Sequence, residues 1–498
     1  MNLGRTISRD RERIKNPNGL VPPCHLRVVV IGLLLSFGVF TDQARSVEGQ
    51  EAASDQGTNE PHVAGRQFVA AGSWPSNPAS GTTVVFLGDS ITHQSLYTQY
   101  LEDFFWTRYP DRKIRFVNAG VAGDSVADAL ARFDWDVAAH QPSSVTVLFG
   151  MNDGRYEGLN ENNFVTYQND MRRLLDRIES IGASAILLSP TMFDHAVARR
   201  RANDPQWRFR GKAISEDYNS IMGLYGGWTR EASRQRGSQF VDLWGPLNTF
   251  TDIMRRDDSN ATLIGDAIHP QASGHVIIAT EILSQLGSER RGASTITLAK
   301  RGERWVSGKG VKDLHVSDDG RRIEFVHQAE SLPWIIPEAH STKSLRWQLP
   351  SDGHLGYQLT RAGHRLSADR IKVAGLLPGT YEVSIDDDLV GSWNHIALGT
   401  KVELQANQAT PQYQQSLRVA EWNRRRTDEF IRPIRDNASR VKRLTAKLAD
   451  DPVELKKATS RIQDEIEVLR QQAKILEEKI RHEATPRPRR WQIRWVGK

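Results

Sequence analysis

A serine, a histidine and an aspartate stand in this chain where together they could break an ester. Ser90 closes the run Val84-Val-Phe-Leu-Gly-Asp-Ser90, and Asp266 and His269 lie three apart in Asp266-Ala-Ile-His-Pro270. A hydroxyl is a poor nucleophile until a base takes its proton, and a histidine oriented by a carboxylate is such a base. Charge that develops on the substrate oxygen must then meet fixed donors. Two further blocks offer them: Asn118-Ala-Gly-Val-Ala-Gly123, where Gly123 has a backbone N–H and no Cβ in the way, and Gly150-Met-Asn-Asp153, where Asn152 has a side-chain amide. In this order the blocks supply nucleophile, oxyanion donors, base and orienting acid.

Each block alone has a plainer meaning. Asp-x-x-His occurs as a solvated helix cap, Asn152-Asp-Gly154 as a turn, and Gly123 as a helix-entry glycine. Gly-Asp-Ser occurs twice, at Gly88–Ser90 and at Gly123–Ser125. Ser90 follows an apolar strand directly, in the turn before a helix, which exposes its oxygen at the sheet edge. Ser125 is displaced from its strand and is better placed as a helix N-cap with Asp124. The nucleophile is therefore Ser90. Pro270 suits a first helical position, which puts His269 at the cap of a helix running to about 286. His93, His195 and His275 lack an adjacent orienting acid and are expected at the surface. No pair of His or Cys ligands has suitable spacing, so neither a metal nor a cofactor is expected. Asp89 is assigned a turn-setting place and no chemistry.

The elements around these blocks explain their placement. Candidate strands are Thr83–Leu87, Ile114–Val117, Val145–Phe149, Ala185–Leu188 and Gln239–Val241, separated by helical patterns near 93–108, 124–133, 163–181 and 212–235. Val126, Ala129, Leu130 and Phe133 share one helical face. Such alternation predicts a parallel sheet covered on both sides, whose active site lies outside the carboxyl ends of the strands. Three of the blocks sit at those ends, and the fourth opens the last helix.

From 291 to 405 helical periodicity fades. Arg322-Ile-Glu-Phe-Val326 and Thr380-Tyr-Glu-Val-Ser-Ile385 alternate between turns, which predicts a small β-rich module with a hairpin turning at Asp386-Asp-Asp388. Residues 406–498 are helical and highly charged, and Leu455, Ala458, Ile462, Ile466, Leu469, Ala473, Leu476 and Ile480 form a coiled-coil-like seam. That seam fits a helical hairpin on its own domain, with self-association through these helices as the other reading. The tail Arg489-Arg-Trp-Gln-Ile-Arg-Trp495 places Trp491, Ile493 and Trp495 on one side of a strand, expected at a sheet edge or as a frayed end.

The bulk numbers exclude more than they identify. A chain of 498 residues implies two or three domains, and 25% charged with 39% hydrophobic residues is ordinary soluble composition. The net charge of +6 is terminal: residues 1–27 carry +4 and residues 481–498 carry +5, leaving about −3 for everything between. The body is no polycation, and nucleic acid is not an expected partner. A basic leader precedes the thirteen uncharged residues Val28–Phe40, too short to span a bilayer comfortably. Residues 1–42 therefore look like an export signal or an N-terminal anchor, and 43–80 like a linker. The single cysteine, Cys24, would leave with a cleaved signal, removing disulfides and thiolate chemistry.

Gly88-Asp-Ser-Ile-Thr92, Gly120-Val-Ala-Gly-Asp124, Gly150-Met-Asn-Asp153 and Asp266-Ala-Ile-His269 together resemble the blocks of the SGNH, or GDSL-like, hydrolases over about residues 82–288. The resemblance implies a three-layer α/β/α, flavodoxin-like domain over 81–290 and metal-free ester hydrolysis. It gives Ser90 as nucleophile, His269 as base, Asp266 as its orienter, and Ser90 N–H, Gly123 N–H and Asn152 as the oxyanion hole. The expectation is an exported serine esterase, periplasmic or extracellular, acting on a small-molecule or polysaccharide ester, with carbohydrate deacetylation as the leading activity and the cell envelope as a place of association. Two alternatives use the same chain: a catalytically silent surface-binding or scaffolding protein, and an acyltransferase.

Overall fold

The computed structural model describes residues 79–201, 214–288, 292–337 and 353–497. The expected leader and anchor, Cys24 and nearly all of the linker lie outside the described residues. Among the described residues no helix is long and apolar enough to cross a membrane.

Five strands form one parallel sheet: β1 (Thr83–Gly88), β2 (Arg115–Gly120), β3 (Ser144–Leu148), β4 (Ser184–Leu188) and β5 (Gln239–Val241), in the order β2-β1-β3-β4-β5. That is the flavodoxin-like order, whose reversal point lies between β1 and β3. The two-residue period of β1 divides the core. Val84 and Phe86 enter a cluster with α1 (Leu96–Arg108) and the helix Ala272–Gln285, whereas Val85 and Leu87 enter another with the helices Glu161–Ser180 and Tyr218–Arg236. A sheet buried on both faces reads as an unbroken apolar run, which is why Val84-Val-Phe-Leu87 stands out.

The β-rich module is two sheets around one core. The four-stranded sheet runs β13 (Val402–Glu403), β10 (Asp369–Ala374), β6 (Ser294–Arg301), β7 (Arg304–Ser307). The five-stranded sheet runs β12 (Asp388–Asn394), β11 (Thr380–Ile385), β14 (Arg489–Gly497), β9 (Arg322–His327), β8 (Val311–Val316). The expected hairpin is β11–β12, and positive φ at Asp386 and Asp387 (52° and 76°) shapes its turn. The basic tail corrects an expectation. It is β14, a central strand and neither an edge nor a frayed end, with Trp491 opposite both Phe325 and Ile385. Its partners lie over 100 residues upstream, so nothing local marks it as central.

Three helices complete the fold. A first helix, α2 (Pro411–Arg426), passes through one π-helical turn, Thr427–Ile431, into α3 (Arg432–Lys447), with Pro433 just inside the new helix. The chain returns as the 33-residue α4 (Pro452–Ala484). The apolar seam of α4 packs on α2 and α3 of the same chain, and Ile434, Val441, Ile462 and Ile466 close a small core there. The module and the helices keep cores of their own, but one further core runs across the expected divisions at 290 and 405. Val419, Ile480, Ala484 and Trp334 belong to the cluster that holds Val84 and Phe86. As a result α1 is buried on every side. Its polar face meets α2, where Arg426 pairs with Glu102 at 2.9 Å and Asn423 donates to Asp103 at 2.9 Å.

Candidate active site

β1 delivers Ser90 to its carboxyl end, as the first residue of a short helix, Ser90–His93. Asp89 caps it by accepting the Ile91 N–H at 2.9 Å. The neighbouring strands deliver the donors from either side: Gly123 follows β2 and Asn152 follows β3. Close approach is needed here, and Gly120 permits it, since a Cβ at that position would stand 2.3 Å from the His93 nitrogen.

Asp266 and His269 reach the same point from the far end of the domain. Asp266 Oδ1 accepts the N–H groups of Ile268 (3.0 Å) and His269 (2.6 Å), making a tight turn in which Ala267 takes a positive φ of 74°. Asp266 Oδ2 lies 2.7 Å from His269 Nδ1, and His269 Nε2 lies 2.9 Å from Ser90 Oγ. Nδ1 therefore carries its proton toward Asp266, and Nε2 is left to accept the Ser90 hydroxyl proton. Burial alone would raise the Asp266 carboxyl, but the hydrogen bond and charge of His269 and the two backbone donors hold it below the usual carboxylate range. The following helix begins at Ala272 with Gln271 at its cap, so His269 lies ahead of the cap and not on it. The reason is local: Asp266 captures the N–H groups of 268 and 269, and Leu263 O captures that of Gln271, before helical bonding can start.

On the oxyanion side, Gly123 takes φ +75°, and among the described residues no acceptor meets its N–H. Asn152 is buried. Its Oδ1 accepts from Tyr156 Oη at 3.2 Å, and its Nδ2 donates to Asp124 O at 2.9 Å and lies 3.4 Å from Asp89 Oδ2. One amide thus touches the residue before the candidate nucleophile and the residue after Gly123. Asp153 braces the two loops, accepting the N–H groups of Val126 and Gly150 at 3.0 Å each. Burial lifts the Asp89 carboxyl to about 7, opposed by the Ile91 N–H and the His269 charge, and lifts that of Asp153 to about 6. Ser125 is the N-cap of the helix Val126–Ala131, its hydroxyl donating to Asp128 at 2.9 Å. A cleft of about 420 Å³ opens beside these donors, lined by Gly123, Asn152, Asp128, Arg155, Glu157 and Asp170 among others.

The structure brings together every residue that the sequence nominated: Ser90, Gly123, Asn152, Asp266 and His269. It departs on two histidines. His93 and His275 are buried, not superficial, with His93 Nδ1 accepting the Ala122 N–H at 3.2 Å and His275 Nε2 lying 2.9 Å from Gln94 Oε1. The sequence reading missed Asp153, although the block that contains it was noticed, and it missed two side chains of α3. Arg435 donates to Gly120 O at 3.0 Å and Asn118 O at 2.9 Å, and Lys442 to Gly123 O at 3.2 Å and Asp124 Oδ1 at 2.7 Å. The available signal was a polar stripe at helical spacing, Arg432, Arg435, Ser439, Lys442. Among the described residues no group of His, Cys, Asp and Glu could hold a metal ion.

Residues 86–277 match the model of the GDSL-like lipase/acylhydrolase family. The chain carries an SGNH hydrolase domain. An acetylxylan esterase of Geobacillus stearothermophilus is 26% identical over 236 residues, which are 42% of this chain and 96% of that protein. The structure of a gut microbial diltiazem-metabolizing enzyme, 22% identical, superposes with a TM-score of 0.70 over 86% of this chain and all of that one. That likeness extends the shared fold beyond the SGNH domain, into the module and helices that follow. The SGNH domain makes this protein an ester-hydrolysing serine hydrolase.

Proposed function

We propose that the protein is an exported esterase that removes acetyl groups from carbohydrate, with Ser90, His269 and Asp266 as its catalytic triad. The observation that carries this reading is the unbroken chain from Asp266 Oδ2 through His269 to Ser90 Oγ at 2.7 and 2.9 Å, beside two donors. Ser90 Oγ attacks the ester carbonyl carbon as His269 Nε2 takes the hydroxyl proton. The oxygen, now an anion, is held by the N–H groups of Ser90 and Gly123 and by Asn152 Nδ2. His269 returns the proton to the leaving alcohol as the C–O bond breaks, which leaves acetyl on Ser90. Water, deprotonated by His269, then releases acetate and restores the hydroxyl.

The cleft meets the site at Gly123 and Asn152, not at Ser90 or His269, and its polar groups favour a polar alcohol. Its carboxylates, the Arg155 guanidinium and the Tyr156 and Asn163 side chains suit sugar hydroxyls, whereas a fatty acyl chain needs an apolar channel. The similarity to an acetylxylan esterase points the same way. Export rests on the basic leader and the apolar run Val28–Phe40.

The test is a panel of acetylated xylo-oligosaccharides and longer acyl esters, run on wild type and Ser90→Ala with fluorophosphonate labelling in parallel. Acetyl preference and a Ser90 adduct are expected. Preference for long acyl chains would overturn the substrate, and a folded wild type that takes no label would leave a silent binding protein. Product that increases only when an alcohol acceptor is added would make the enzyme an acyltransferase. Full-length protein retained in the cytoplasmic fraction would refute export.

A further inference from the structure

We propose that Lys442 and Arg435, from the helical segment outside the SGNH domain, are positioning residues that keep the Gly123 N–H turned toward the substrate oxygen. The proposal rests on the function above and deepens it. Gly123 lacks a Cβ and holds a positive φ of 75°, so the Ala122–Gly123 peptide is intrinsically free to rotate. A flip of that peptide would replace the N–H donor with a carbonyl oxygen, which would repel the developing charge instead of stabilising it.

The structure brackets this peptide from both sides. On one side the Ala122 N–H is fixed by His93 Nδ1 at 3.2 Å, and His93 Nε2 lies 3.2 Å from an Asp436 carboxylate oxygen of α3. On the other side Gly123 O accepts from Lys442 Nζ at 3.2 Å. The same ammonium lies 2.7 Å from Asp124 Oδ1 and 3.1 Å from Asp128 Oδ2, which anchors it at the mouth of the cleft. Upstream, Arg435 ties the carbonyls of Asn118 and Gly120, and its own position is set by Asp136 Oδ1 at 2.9 Å. Arg435 and Lys442 are seven residues apart, two helical turns, so one face of α3 holds the whole loop from Asn118 to Asp124. Asp124 O in turn accepts from Asn152, so the contact passes on to the second donor. No other element of the chain outside the SGNH domain supplies such contacts to this loop among the described residues.

Lys442 is the residue to test, because it is one-third exposed and its removal leaves Asp124 still paired with Arg132 at 2.7 Å. Lys442→Met, Lys442→Gln and Lys442→Arg are compared with wild type in the full chain. The readouts are kcat and KM on an acetyl ester, the rate of fluorophosphonate labelling at Ser90 (whose tetrahedral adduct uses the same donors) and the melting temperature. The expected result for Met and Gln is a fall of about 10-fold or more in both kcat and labelling rate, with KM within about threefold and Arg restoring most of the loss. Met and Gln variants that keep both rates within twofold would overturn the proposal. So would an Arg variant as slow as Met, or losses that merely follow a falling melting temperature. The wild-type arm separates the two readings: a wild type that neither labels nor hydrolyses sinks the esterase itself, whereas an active wild type with equally active variants sinks only the positioning role.

Discussion

The two halves of this active site are built at different ranges. The acid–base half is local: Asp266 and His269 share one turn, and His269 reaches Ser90 just beyond the end of β1. The oxyanion half is composite. Gly123 and Asn152 come from two loops of the parallel sheet, and the first of those loops is gripped by Arg435 and Lys442, more than 300 residues downstream. A short-range device can be carried by a small domain and found by its spacing. A long-range device makes activity depend on an appended segment that contains no residue of the reaction.

The largest effect expected isolates the local half. Ser90→Ala should lower kcat by a factor on the order of 10⁶ while leaving the melting temperature within a degree or two, since a buried hydroxyl hydrogen-bonded to His269 is all that is lost. An equal fall in stability would mean that this half is structural too. Asp136→Ala attacks the other half from beneath: it removes the carboxylate that Arg435 and Arg132, both buried, share, and should cost about 3–5 kcal/mol of unfolding free energy in denaturant titration. Replacing Asp136 without such a loss would show that the carbonyls of Asn118 and Gly120 suffice to hold Arg435. Asn152→Ala should lower kcat by about 10²–10³ with little change in KM, the signature of a donor used in the transition state. A rise confined to KM would assign Asn152 to substrate binding instead.

The smallest effects are in pH dependence, where Asp136 and Asp89 should titrate with opposite sign. Asp136 is buried, but its two arginines hold its carboxyl below the usual value of 3.8, so its stabilisation is present above that value and lost as pH falls through the lower, folded one. Asp89 is the reverse. Burial lifts it to about 7, so the folded state keeps a proton that the unfolded chain releases from about pH 4 upward, and stability declines as pH rises toward 7. Asp89→Asn should flatten that decline in melting curves recorded between pH 4 and 7, and an unchanged slope would dismiss Asp89 as its source.

What the sequence made legible follows the same division. Asp266, His269 and Ser90 could be read because short motifs and an apolar strand announce them. The choice of Ser90 over Ser125 followed from distance to the strand, and Ser125 does cap a helix. Five strands of the sheet were readable because burial on both faces leaves apolar runs. Arg435 and Lys442 were not, because a polar stripe on a charged helix looks the same whether it faces water or a carbonyl-lined loop. Glu102 and Asp103 hid for the same reason, their partners Arg426 and Asn423 being over 300 residues away. His93 was assigned to the surface since nothing adjacent in sequence marks the Ala122 N–H as its partner.

The place of β14 bears on how the module and the helices are tied together. β9 and β11 stand two strand spacings apart, about 10 Å, with residues 489–497 paired between them. The helices that grip the oxyanion loop leave the module after β13, which pairs with β10, and rejoin it at β14, so their two ends are held in different sheets. Loss of the β14 pairing would therefore release the carboxyl end of α4 while leaving every residue of the triad in the parallel-sheet domain.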